Sequence, residues 1–155
     1  MALDSIDARI LEVLQKNARV SISDLSKQVN LSLSAVSERL KKLESSGTIK
    51  QYTAIVDPQM MNRELSVIMM VGLEHPSMTD AFNEFVKNCD EILECNYITG
   101  EYDYELKIAT KNTASLAVLQ NRIKSSTGIK NTQTNVILDT VKQMYSVRPE
   151  AVKDL

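Results

Sequence analysis

Between residues 32 and 50 the chain collects groups suited to nucleic acid. At about 100° per residue, Ser34, Glu38, Lys41, Lys42 and Ser45 fall on one side of a helix, with Ser37 and Arg39 on its flanks. Hydroxyls and carboxylates near a helix start can exchange hydrogen bonds with base edges, and cations neutralise phosphates. Ser34, Ala35, Ser37 and Glu38 are the base-facing candidates. Ala35 can meet a thymine methyl, and Glu38 can accept from a cytosine amino group. Arg39, Lys41, Lys42 and Lys50 are candidates for holding phosphate or supporting the fold, and Ser32 stands at the cap of the same helix.

A second group, Gly100-Glu101-Tyr102-Asp103-Tyr104, suits a zwitterion such as an amino acid. Backbone N–H groups around Gly100 and Tyr102 can meet a carboxylate, and Asp103 or backbone carbonyls can meet an ammonium. Thr132, Thr134 and Asn135 are secondary candidates. The plainer reading is a hairpin turn in which Asp103 makes a local backbone bond.

Two short helices must carry the first group. Ser21 caps one, with Asp24 completing an S-x-x-D pattern and Leu25 and Val29 four apart on its inner face. Asn30-Leu31-Ser32 supplies a turn, and Val36, Leu40 and Leu43 define one buried stripe on the next helix. Gly47 fits the left-handed position that ends a helix. This is a helix-turn-helix pattern, whose second helix can enter a major groove. An ordinary amphipathic pair with a solvated face fits the same spacing. Upstream, Asp4 or Ser5 caps a first helix with Ile6, Ile10, Val13 and Leu14 inward. Downstream the period switches to two through Ile49, Tyr52, Ala54 and Val56, which predicts a wing over 48–52 with Lys50 near phosphate.

Asp57-Pro58-Gln59 breaks the pattern. It divides the chain into a DNA-binding domain over 1–56, a hinge over 57–63 and a second domain over 64–155. From Glu64 the order reads β-α-β-β-α-β, with strands over 65–74, 92–99, 104–110 and 132–140. Thr79 or Ser77 caps the first helix, which turns Phe82, Phe85 and Val86 inward. Thr113 caps the second, which turns Leu116, Leu119 and Ile123 inward, and Gly128 ends it. Two helices on one side of a four-stranded antiparallel sheet is the ferredoxin-like plan, so the fold class is α+β. The first strand is apolar on both faces, through Val67, Met69 and Val71 and through Ile68 and Met70. Helices cover one face, and a second copy of the chain is the simplest cover for the other. The tail from Val141 reads partly as strand through Met144, Tyr145 and Val147.

The net charge of −2 hides an uneven distribution. Residues 16–50 hold seven bases and three acids, a net +4, whereas 61–155 hold ten bases and thirteen acids, a net −3. A basic head on an acidic body suits a DNA-binding module joined to another function. No run approaches the ~20 apolar residues of a membrane span, and no charged-then-apolar start suggests a signal peptide. A cytoplasmic protein is expected. Cys89 and Cys95 are too few and wrongly spaced for zinc, and Cys95, alternating with Leu93 and Tyr97, reads as a buried small hydrophobe. The sequence holds one histidine, His75, before a proline, and no phosphate loop or nucleophile–base set. No catalytic residue, metal or cofactor is therefore expected.

In its ordered motifs the chain resembles the leucine-responsive/asparagine-responsive (Lrp/AsnC, feast/famine) family of prokaryotic transcription regulators. The resemblance covers nearly the whole chain. It runs through Leu3-Asp4, Asp7, Ile10-Leu11, Leu14-Gln15, Arg19, Leu25, Leu31-Ser32, Val36, Arg39-Leu40, Leu43-Glu44, Gly47, Ile49 and Tyr52. It continues through Gly100-x-Tyr102-Asp103-Tyr104, Gly128-Ile129 and Thr132-x-Thr134. It implies a winged helix-turn-helix, a hinge, an amino-acid-sensing domain with its ligand at a subunit interface near the Gly100 loop, and dimers that often assemble into octamers. Glu105 stands where relatives usually carry an aliphatic residue, which bears on effector identity, and Asn30 replaces the family's glycine. Two rival readings are a ligand-binding or assembly protein without DNA binding, and a tetrapyrrole-processing enzyme on a similar two-domain plan.

Overall fold

The structure, a computed structural model, describes residues 3–126 and 128–151. The described chain forms two compact units, one of 3–54 with 142–151 and one of 55–141.

The first unit holds α1 (Ser5–Lys16), α2 (Ile22–Val29) and α3 (Leu33–Ser45). Each starts where a short polar side chain satisfies an orphan N–H. Asp4 accepts from the Asp7 N–H at 2.7 Å. Ser21 Oγ accepts from the Asp24 N–H at 3.0 Å and donates to Asp24 Oδ2 at 2.7 Å. Ser32 Oγ accepts from the Ala35 N–H at 3.2 Å. Asn30 takes the left-handed conformation (φ 57°) that turns α2 into α3. Ile10, Leu11, Val13, Leu25, Val36 and Leu43 form the buried core, with Leu31 and Leu40 packed against it. Each buried aliphatic contributes about 1.5–3 kcal/mol relative to exposure.

The strand expected over 48–52 does not form. Thr48 and Ile49 make a bend, and 50–57 carries no strand. Alternating apolar residues become a strand only where a neighbour supplies the ladder, and no such pairing is present among the described residues. Tyr52 is anchored instead by its hydroxyl, which donates to Glu44 Oε1 at 2.9 Å. Residues 142–151 carry no strand either. Gln15 Nε2 holds that segment, donating to the Val147 carbonyl at 2.7 Å and to Ser146 Oγ at 3.1 Å.

The second unit has a four-stranded sheet in the order β2-β3-β1-β4, from β1 (Leu65–Leu73), β2 (Ile92–Tyr97), β3 (Tyr104–Thr110) and β4 (Ile129–Val136). All neighbours are antiparallel. Helices α4 (Thr79–Lys87) and α5 (Thr113–Ser126) supply Phe82, Leu116, Leu119 and Ile123 to one core with Val67, Met69, Val71, Leu106 and Ile108. The last strand starts three residues earlier than expected, because the apolar length of β1 sets its register from Val67↔Val136 to Leu73↔Ile129. The caps differ as well. Met78 precedes α4 without a side-chain cap bond. Asn112 begins α5, its Oδ1 accepting from the Ser115 N–H at 3.0 Å while Ser115 Oγ accepts from the Asn112 N–H at 2.9 Å.

The opposite sheet face carries Ile68 and Met70 on the central strand, in register with Lys107 and Glu105 on one side and Asn135 and Gln133 on the other. Ile68 and Met70 stay half-buried. Cys95 is half-buried rather than buried, and Leu93 and Tyr97 are exposed. A register shift between Ile92 and Glu94 breaks the alternation on this edge strand.

Candidate nucleic-acid interface and effector loop

Helix α3 turns Val36 and Leu43 into the core and leaves Ser34, Glu38, Lys41, Lys42 and Ser45 exposed. Ala35 and Ser37 are half-buried on the flanks. Ser32 Oγ, already the cap, also lies 3.0 Å from Ser34 Oγ, so one of these two exposed hydroxyls donates to the other. Lys50 is exposed beyond the helix end, where Gly47 takes φ 73°, a conformation that favours glycine.

Arg39 does not join the exposed cations. Its Nη1 donates to Asp4 Oδ2 and to Asp7 Oδ1, each at 2.6 Å. The Asp7 N–H, with Arg39 in support, holds the Asp4 carboxyl below its ordinary value against the cost of burial. The carboxylates of Asp4 and Asp7 in turn raise the Arg39 guanidinium above its own. Of the two roles open to Arg39 from sequence, this geometry is the fold-supporting one. A guanidinium held by two carboxylates is poorly placed for phosphate.

Two residues of this surface escape a reading by pattern. Asp7 is 5% exposed, and its partner lies 32 residues away, beyond any local signal. Leu33, the first residue of α3, is 55% exposed. It belongs to neither the stripe of Val36, Leu40 and Leu43 nor the polar face read from sequence, and only its position directly after the cap marks it.

The loop after β2 is built around Asp103. Its N–H donates to the Val71 carbonyl at 3.0 Å and its carbonyl accepts from the Ile98 N–H at 2.8 Å. Its Oδ2 accepts from the Leu73 N–H at 2.7 Å. One carboxylate thus joins the loop to the end of β1, across 30 residues rather than locally. Gly100 sits at φ 127°, again a glycine conformation. Tyr102 is half-buried, and Tyr104 is 4% exposed, its ring 4.6 Å from Phe82 and 5.2 Å from Tyr97 between centroids. Asp103 and Tyr104 line a small pocket of about 90 Å³ with Leu73, Pro76, Thr79 and Tyr97.

The secondary candidates do not form one set. Thr132 and Thr134 stand in register with Val71 and Met69, on the helix-covered face. There Thr134 Oγ1 accepts from Gln120 Nε2 at 2.8 Å, tying β4 to α5. Asn135 stands in register with Ile68, on the opposite face. Among the described residues no cluster of three His, Cys, Asp or Glu side chains could hold a metal. None of the described helices is long and apolar enough to cross a membrane.

Residues 66–147 match the Lrp/AsnC ligand binding domain, and residues 3–50 match a winged helix-turn-helix DNA-binding domain. The chain is 37% identical over 145 residues to a leucine-responsive regulatory protein of Haemophilus influenzae, covering 92% of this chain and 87% of that one. It is 34% identical over 143 residues to the HTH-type transcriptional regulator FL11 of Pyrococcus abyssi, covering 92% and 94%. In structure it is similar to a Neisseria meningitidis transcriptional regulator solved as a complex with L-Met. That likeness has a TM-score of 0.89 and 31% identity, and covers 94% of this chain and 96% of the other.

Proposed function

This chain belongs to the Lrp/AsnC family of transcription regulators, with a helix-turn-helix DNA-binding domain and a ligand-binding domain; from that premise we propose an amino-acid-responsive regulator that binds duplex DNA as a dimer or larger assembly. Its relatives are transcriptional regulators rather than enzymes. The observation that carries the DNA reading is the exposed face of α3, with Lys41 and Lys42 in solvent behind a capped, tightly turned start. Two such helices about 34 Å apart would enter successive major grooves on one side of the duplex. Ser34 and Glu38 would meet base edges, and Lys41, Lys42 and Lys50 would meet phosphates.

The effector reading rests on the Asp103 pocket. Asp103 supplies an acceptor for an ammonium group, and N–H groups around Gly100 and Tyr102 supply donors for a carboxylate. The leucine-responsive relative and the L-Met complex favour a small amino acid over other zwitterions. Assembly rests on the sheet face that leaves Ile68 and Met70 half-buried, which a second copy would cover. Dimers would associate further, up to an octamer, in the cytoplasm where the DNA lies. Calorimetry against the twenty amino acids, followed by a DNA-binding titration with and without any that binds, tests the proposal. A bound amino acid that shifts DNA affinity or assembly mass supports it. Twenty flat titrations would remove the amino-acid reading.

A further inference from the structure

We infer that Leu33 reads sequence, by apolar contact with a thymine methyl group at the start of the recognition helix. The inference rests on the DNA-binding reading of α3. N-terminal residues of a recognition helix are the ones that reach base edges, and Leu33 is the first residue of α3. It stands outside the core of its unit and is 55% exposed, whereas Ala35 is half-buried and Val36 is fully buried. The hydroxyls on either side of it share one hydrogen bond. Ser32 Oγ takes the Ala35 N–H and lies 3.0 Å from Ser34 Oγ. The helix start therefore presents an exposed isobutyl group between two hydroxyls, and the base-edge feature that matches the isobutyl is the C5-methyl of thymine. Ile22, also exposed, opens α2, the helix that crosses the backbone in this motif.

The test uses the full chain and duplexes selected from a random-sequence library by the wild-type protein. Each thymine of the selected site is replaced in turn by uracil, which removes only the methyl. Wild type should lose about threefold to fivefold in affinity at one thymine per half-site, the worth of one buried methyl group. Leu33→Ala should bind the thymine form more weakly by a similar factor and bind thymine and uracil forms equally, whereas Leu33→Met should keep the preference. An unchanged unfolding midpoint for Leu33→Ala, expected because alanine is the best helix former, separates a lost contact from a damaged head. A wild-type ratio retained in Leu33→Ala, or a wild type indifferent to every uracil, overturns the inference and leaves DNA binding standing. A library that does not enrich overturns DNA binding itself.

Discussion

The Arg39 guanidinium donates to Asp7 Oδ1 across 2.6 Å, and so α3 is clamped to the first turn of α1. Asp7 is 5% exposed, so removing Arg39 strands a carboxylate in a poorly solvated place. Arg39→Ala should destabilise the first unit by about 2 kcal/mol in denaturant unfolding, below the ~3–5 kcal/mol of a fully buried pair because the Arg39 side chain is 29% exposed. Asp4, whose pKa is lowered, adds a pH dependence. Its contribution is present above the ordinary carboxylate value of about 3.9 and is lost as pH falls through its folded value. Asp4→Asn should flatten the acid limb of a thermal-melt series.

Lys41 and Lys42 should behave differently from Arg39. Both are exposed on the proposed DNA face. Lys41→Ala and Lys42→Ala should each lower the slope of log affinity against log salt by about 1, with little effect on stability. Arg39→Ala, measured under folded conditions, should leave that slope unchanged. A double lysine variant with the wild-type slope would show that this face does not touch phosphate.

Asp103 combines a structural bond with a proposed ligand contact, and two variants separate them. Asp103→Ala leaves the Leu73 N–H without its acceptor and should cost about 1–3 kcal/mol. Asp103→Asn keeps an oxygen acceptor for that N–H but removes the charge that would meet an ammonium. It should unfold close to wild type while amino-acid binding, read by calorimetry, is lost.

Burial first, and Glu44 second, push the Tyr52 phenol up to about 12. In an ultraviolet difference titration the Tyr52 step should come late. Tyr52→Phe should remove that late step, and Glu44→Gln should move it only part of the way back, because desolvation is the larger cause. By linkage the neutral phenol stabilises the head fully below about pH 10, the unfolded value, and that contribution fades as pH rises through 12.

Met70 lies half-buried on the sheet face away from the helices, in register with Glu105 and Gln133. Met70→Glu adds a second carboxylate beside Glu105 and should shift the sedimenting species toward monomer. A variant that keeps the wild-type mass would remove this face from the proposed assembly.

The helices and strands were largely legible because their signals are local. Ser21, Ser32 and Asp4 cap helices through hydrogen bonds spanning three residues. Val36, Leu40 and Leu43 follow the helical period, and Val67, Met69 and Val71 the strand period. The strand expected at the wing is absent among the described residues for the converse reason. Ile49, Tyr52, Ala54 and Val56 alternate as a strand does, but a strand exists only where a second segment completes the ladder. β4 starts three residues before its own alternation indicates, because β1 sets the register.

By itself the sequence determined the element order, the polar and basic composition of α3 and the glycine-containing loop before β3. All three follow from the period and type of neighbouring residues. Only the tertiary structure decided what each polar group is free to do. It bound Arg39 to Asp4 and Asp7, bound Asp103 to the Leu73 N–H, and tied Thr134 to Gln120 of α5. It also left Leu33 in solvent. Each of those outcomes depends on a partner, or a missing neighbour, that lies far away in the chain, and burial is set by the whole fold rather than by any window of residues.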